Sequence, residues 1–370
     1  MIYIGVFIIE TILCALIEKT EKNKKIRTLL CVIVVLIISI LGGARDKSVG
    51  YDVTVYGEWY FYIATMCSNF STYISNINSE MGYLIINYIV SRFSSDLNIF
   101  FFVCQLIINT LFFTTMYRYR KNIPLWLSMF SYLTLYYCRT FDYLRQSFAL
   151  AIIFFSLRYV EQEKPIKFFI CVLIAKLFHN SAIIAIFFYF ANIIMNNEKN
   201  KIKKIMFIYI IISSTILSVI CFPDIMEFLY NRNLLSERYY EYTTVYAKKN
   251  VDINFLDTFF RLILILLYVI QAKKLNSKFK LNPLFGLLII MDLIVYQIKN
   301  TIRMADRFAF YFGIMDILII PQYYKIGKDK KNQILINILL VLMLFVFWYY
   351  KFVIKGYASI YPYTSSILGI

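Results

Sequence analysis

Histidine is almost missing from this chain: one residue, His179, among 370. A zinc-hydrolase HExxH pair cannot be written with it, and neither a Walker phosphate loop nor a DxD motif occurs, which disfavours ATP hydrolysis and metal-dependent sugar-nucleotide transfer. The seven cysteines (Cys14, Cys31, Cys67, Cys104, Cys138, Cys171 and Cys221) form no CxxC pair, and most stand inside apolar runs where a thiol acts as a small hydrophobe. Neither a disulfide framework nor a metal site is indicated, and no cofactor is expected. Acids are few, 22 against 39 lysines and arginines, for a net charge of +17. The basic residues fall in short clusters between apolar runs rather than along one face, so the excess argues for the positive-inside bias of membrane proteins and against a nucleic-acid partner. No internal repeat, low-complexity tract or water-soluble domain is visible. The N-terminus is apolar from its first residue, with its positive charges after the run, the reverse of a cleaved signal peptide.

What the chain has in abundance is apolar length. Hydrophobic residues make up 60% and aromatics 19%, and the mean hydropathy is +0.65. Apolar runs fall at 1–17, 28–43, 97–117, 123–138, 146–160, 167–178, 181–195, 205–222, 255–271, 281–298, 307–324 and 334–354. This is a polytopic helical membrane protein, read as one integral domain over 1–370 with about 12 spans. With the N-terminus outside, the segments 18–27, 118–122, 158–167, 196–204, 272–280 and 325–331 face the cytoplasm and hold 23 of the 39 lysines and arginines. The expected location is the cytoplasmic membrane of a bacterium, with membrane lipids as neighbours.

Two longer segments then lie outside, 44–96 and 223–254. The first contains 81–93, an apolar stretch too short to span and therefore read as an interfacial helix. Between lysine-bearing flanks, 165–197 must enter and return on arms of 12–15 residues. At 1.5 Å per residue these reach roughly 18–22 Å, against an apolar core of about 30 Å. The pair 123–138 and 146–160 is also short and turns at 139–145. Both turns are expected to sit below the outer surface and to line a recessed polar cavity.

Charged groups gather at those turns. Arg45 follows a span in Gly42-Gly43-Ala44-Arg45-Asp46, ahead of Gly50, Asp52 and Tyr56, and is expected at the cavity mouth, where a guanidinium fork suits a diphosphate. The alternative is an interfacial arginine paired with Asp46 or Asp52. In Arg139-Thr140-Phe141-Asp142-Tyr143-Leu144-Arg145 the charges recur every third residue and would share a broad helical face. Arg145 opens an apolar helix and must face protein or water rather than lipid. His179 follows Lys176 by one turn; a lysine beneath it would favour the neutral imidazole that a general base requires. Arg303 and Arg307 flank Asp306 and cannot both pair with it, leaving an anion site. In 223–254, Arg238 stands among tyrosines that suit either sugar binding or an interfacial aromatic belt. Convergent arginines with few acids make a site for an anionic leaving group, most simply a lipid diphosphate.

The stretches Arg45-Asp46-Lys47-Ser48-Val49-Gly50-Tyr51-Asp52 with Tyr56, Ser79-Glu80-Met81-Gly82-Tyr83, Asp142 to Ala149, Phe178 to Ala182 and Arg303 to Phe308 resemble the Wzy-like bacterial polysaccharide polymerases of the EpsG type. Tyr51 stands where that pattern often has threonine. The resemblance implies an all-α bundle akin to GT-C-type glycosyltransferases. It implies an enzyme that joins undecaprenyl-diphosphate-linked oligosaccharide repeat units of a capsule, exopolysaccharide or O-antigen at the outer membrane face, beside a flippase and a chain-length regulator as partners. Carried over, Arg45, Arg145 and Arg303 or Arg307 would hold the diphosphate, and His179 or Asp52 would take the acceptor proton; Arg139, Asp142, Tyr56 and Arg238 complete the candidate binding set. Three other readings stand beside it: another lipid-linked sugar transferase or ligase, a flippase or transporter of the same lipid-linked oligosaccharide, and a membrane O-acyltransferase. The flippase calls for internal two-fold repeats, which are not seen. The acyltransferase calls for a histidine on the cytoplasmic side, opposite to the face expected for His179.

Overall fold

A computed structural model describes residues 2–197, 201–234, 240, 255–276, 279–298, 305–325 and 329–370. Every regular element among them is helical. The chain divides into two compact units, Met1–Ile183 with Asp316–Ile370, and Ile184–Met315. Among the described residues, four helices are long and apolar enough to cross a membrane: Lys24–Gly43, Leu97–Tyr119, Phe255–Asn276 and Lys330–Ile354.

The first unit is built on α1 (Ile2–Lys19), α2 (Lys24–Gly43), three short helices α3 (Tyr60–Met66), α4 (Phe70–Asn76) and α5 (Met81–Ser91), then α6 (Leu97–Tyr119), α7 (Leu125–Leu135), α8 (Leu144–Glu161) and α9 (Pro165–Lys176). Their ends are written locally. Asn23 caps α2 by accepting the Ile26 N–H, and Asp96 caps α6 by accepting that of Asn98. Pro165 opens α9, where its missing N–H costs nothing.

Helix α2 packs along α6, and its last turn shows how closely. A Cβ on Gly43 would stand 2.8 Å from the Phe102 Cα, and one on Gly42 2.5 Å from the Gln105 side chain. The seam carries a buried polar ladder. The Asn109 amide donates to Ser39 Oγ at 3.2 Å, the Tyr132 hydroxyl donates to Asn109 Oδ1 at 2.6 Å, and Gln105 exchanges bonds with Thr140. Such bonds hold helices together where apolar burial alone discriminates little against lipid.

A loop over 44–52 follows α2 and leads into a π-helical turn, Val53–Trp59. The C-terminal segment covers this loop. Tyr363 Oη donates to Leu41 O at 2.7 Å, the Asp46 N–H to Thr364 O at 3.0 Å, and the Gly50 N–H to Ser359 O at 3.1 Å. In return, the Asp46 carboxylate accepts the backbone N–H and hydroxyl of Ser366, both at 2.8 Å, and the backbone bond holds its pKa below the ordinary value. Gly50 has φ +116°, and a Cβ there would approach Phe141 O to 2.9 Å. Gly50→Ala is therefore expected to cost roughly 1–3 kcal/mol in strain alone, read as a lower melting temperature in detergent.

In the second unit, α10 (Ile186–Asn196), α11 (Lys201–Ile220), α12 (Phe222–Asn231), α13 (Phe255–Asn276), α14 (Asn282–Gln297) and α15 (Ala305–Gly313) follow in order. A four-residue helix α16 (Asp316–Ile319) returns the chain to the first unit, which ends with α17 (Lys330–Trp348) and its π-helical extension Tyr349–Ile354.

Of the two arms expected at 12–15 residues, α9 has 12 and the α-helical part of the second, α10, has 11, with a 3₁₀ segment (Asn180–Ala185) before it. The 81–93 stretch is an 11-residue helix, α5, about 17 Å long. One expectation is corrected. Arg139, Asp142 and Arg145 do not share a helical face, because a 3₁₀ turn (Tyr137–Phe141) ends at Asp142 and α8 starts afresh at Leu144.

Candidate functional site

The site grows from the first turn of α8. Arg145 projects there toward the start of α5, and its Nη1 donates to Glu80 Oε2 at 2.6 Å and to Ser79 Oγ at 3.3 Å. The guanidinium lies over the Tyr56 ring, 3.8 Å from its centroid. The two charged side chains keep 18% and 14% of their surface exposed, enough for a ligand to reach them. Only Nη1 is used in these contacts, and a guanidinium that lies over an aromatic ring while donating from one nitrogen does what a lysine ammonium cannot.

Backbone contacts fix the surroundings. The Tyr83 hydroxyl donates to Tyr56 O at 2.6 Å, tying α5 to the π-helical turn. The Gly82 N–H donates to Leu177 O at 2.7 Å, and a Cβ at Gly82 would stand 2.9 Å from that oxygen, so the turn after α9 sits directly on the N-terminus of α5. That contact delivers His179 to the site. Its imidazole is hydrogen-bonded to Ser181 Oγ, and it lies close enough to Glu80 to act on its charge. Lys176, expected beneath the imidazole, is exposed where α9 ends.

Burial raises the proton affinity of Glu80, but Arg145, its hydrogen bonds and His179 outweigh this and hold the carboxyl below its ordinary value. A carboxylate whose folded pKa is depressed stabilises the fold above its unfolded value and loses that contribution as pH falls through the folded one. The melting temperature of the wild type is thus expected to fall in that acidic window more steeply than that of Glu80→Gln, in parallel pH scans.

Just before the π-helical turn, the Asp52 N–H donates to Oδ1 of the buried Asp142 at 2.6 Å. Asp52 is half-buried and begins the ribbon that carries Tyr56. The structure therefore gathers Tyr56, Asp52, Asp142, Arg145 and His179 in one region of the first unit.

Arg45 and Arg139 are placed differently. Arg45 is fully buried rather than at a cavity mouth, and it pairs with neither Asp46 nor Asp52. Its guanidinium donates to Gly42 O and to Phe141 O and lies 4.1 Å from the Phe101 ring centroid and 4.9 Å from that of Phe141. Burial pushes its pKa down to about 10, leaving it charged at neutral pH. Arg139 is buried on the 3₁₀ turn, 5.2 Å from the Tyr136 ring centroid and 6.0 Å from that of Tyr357. Arg307 is half-buried in the second unit. Arg303 and Arg238 lie outside the described residues, as does most of the tyrosine-rich part of 223–254.

Two groups were not singled out from sequence. Glu80 is one; the available signal was its standing as the lone acid between Glu58 and Asp96, just before a short apolar helix. The other is in the second unit, where buried Arg261 donates to Asp292 Oδ2 at 2.7 Å and lies 3.6 Å from Asp257, with the Tyr296 ring centroid 3.9 Å away. The Asp257–Arg261 pair, four residues apart, was legible; Asp292 is distant in sequence. These charges satisfy one another, as buried ions must, and read as a structural clamp between α13 and α14.

No curated protein and no solved structure matches the chain. The sequence model of the EpsG family matches residues 28–365, and with its helical membrane-protein fold the chain belongs to that family.

Proposed function

We propose that this protein is a polysaccharide polymerase that joins oligosaccharide repeat units carried on undecaprenyl diphosphate, at the outer face of a bacterial cytoplasmic membrane. Family membership supports a membrane protein of polysaccharide-polymerase type. The observation that carries the chemistry is Arg145, stacked on Tyr56, paired with Glu80 and still reachable. In this reading, Arg145 takes two oxygens of the donor's diphosphate and stabilises the charge that grows there as the glycosidic bond to phosphate breaks. Tyr56 presents an aromatic face to the guanidinium and to the first sugar. Asp142 holds the Asp52 ribbon in place, and Arg45 and Arg139 set the turn from which α8 departs. Arg303, Arg307 and Arg238 remain candidates for contacts to a second diphosphate or to the glycan.

The same reading has about 12 spans in one integral domain, with the N-terminus outside and a flippase and a chain-length regulator as partners. Its test is purified protein incubated with a synthetic undecaprenyl-diphosphate repeat unit, with products resolved on a gel. A ladder of repeat lengths is the expected result. The same substrate left entirely as single units, across several candidate repeat structures, would sink the reading.

A further inference from the structure

Glu80 is a carboxylate in direct contact with the guanidinium that the polymerase reading assigns to the diphosphate, and that reading has given it no task. Its Oε2 accepts from Arg145 Nη1 at 2.6 Å and from Ser79 Oγ at 3.1 Å. The backbone that carries it is held from two sides, by the Gly82 N–H on Leu177 O at 2.7 Å and by the Tyr83 hydroxyl on Tyr56 O at 2.6 Å. The side chain can thus change partners while its position stays fixed. A diphosphate bears more charge than a carboxylate and offers several oxygens to one fork, so it competes effectively for Arg145. Once Arg145 turns to it, Glu80 keeps Ser79 but loses its main counter-charge in a partly buried setting, where an unpaired carboxylate gains proton affinity.

We propose that Glu80 is the general base of the transfer, held idle by Arg145 until a lipid diphosphate draws the guanidinium away. This rests on the polymerase reading. In the step, the acceptor sugar hydroxyl gives its proton to the Glu80 carboxylate while its oxygen bonds to the donor's anomeric carbon. The bond from that carbon to the phosphate oxygen breaks, its electron pair stays on the oxygen, and undecaprenyl diphosphate leaves as an anion against Arg145. The proton is thereby assigned to Glu80 rather than to His179 or Asp52. The exchange also ties the base to the diphosphate: Glu80 stays paired with Arg145 until the diphosphate takes the guanidinium.

The test uses the full-length protein in detergent, with undecaprenyl diphosphate as the binding probe and a synthetic repeat unit as substrate. Wild type, Glu80→Gln and Glu80→Asp are compared for affinity, ladder formation and melting temperature. Glu80→Gln is expected to bind the probe several-fold tighter, because the competing carboxylate is gone, yet to form the ladder about 100-fold more slowly or less. Glu80→Asp should recover part of the rate. A Glu80→Gln ladder at the wild-type rate would overturn the assignment and leave the polymerase standing. Weaker probe binding with a lowered melting temperature would make Glu80 a structural partner of Arg145, and also overturn it. If wild type binds the probe but forms no ladder, the polymerase reading fails and the base assignment fails with it.

Discussion

Arg145→Ala is expected to lower the rate of chain growth by about 10²–10³, the usual cost of removing one donor aimed at developing negative charge. The loss should appear in the ladder assay at saturating repeat unit, because the contact matters most when the diphosphate leaves. Two variants separate this effect from a folding defect. Removing Arg145 alone strands the Glu80 carboxylate, whose nearest counter-charge it is, so Arg145→Ala should also melt earlier than wild type. Adding Glu80→Gln removes the stranded charge and should return much of the melting temperature while the ladder stays absent. Arg145→Lys keeps a positive charge but neither the fork nor the flat contact with Tyr56, and should fall between wild type and alanine. An active Arg145→Ala protein would remove the diphosphate anchor from the scheme.

The second large effect concerns Arg45, where the expected loss is of stability. Its guanidinium is enclosed by Phe101 and Phe141 and bridges the end of α2 to the 139–145 turn through Gly42 O and Phe141 O. Arg45→Ala empties that space and leaves two carbonyls without their donor, at a cost of about 2–5 kcal/mol. Arg45→Met refills most of the volume with a flexible apolar chain and removes a charge that is costly to bury, so it should lose only about half as much. Thermal unfolding in detergent distinguishes the two. The activity of the methionine variant then decides the role of Arg45. A folded Arg45→Met protein that still makes a ladder fits a residue that positions the turn; one that folds but is inactive would return Arg45 to the diphosphate itself.

Helical class, the four helices long and apolar enough to cross a membrane among the described residues, and the shortness of α9 and α10 were legible because they depend on run length and on where lysines interrupt the runs. The positive φ of Gly50 beside Phe141 O is the reason glycine is needed in the loop after α2. The regular spacing of Arg139, Asp142 and Arg145 misled because spacing implies a shared face only if the helix continues. Here Asp142 turns its carboxylate to the Asp52 N–H, ninety residues distant in sequence, and the helix restarts after it. Arg45 misled for a related reason. An arginine just past a span looks interfacial unless one knows that two phenylalanines from other segments close over it. Glu80 stands in one of the family-like stretches without local marks of its role, because its partner Arg145 lies 65 positions away. Tertiary contacts of that range carry most of the site.

The most direct test of the central claim is to count diphosphate release against bond formation. Wild-type protein reconstituted in liposomes would be given a synthetic undecaprenyl-diphosphate repeat unit, with released undecaprenyl diphosphate and new glycosidic bonds measured in the same samples. The polymerase account predicts one undecaprenyl diphosphate freed for each bond made, with both processes lost in Arg145→Ala. Repeat units crossing the bilayer with their diphosphate still attached, and no bonds formed, would contradict it and establish a flippase instead.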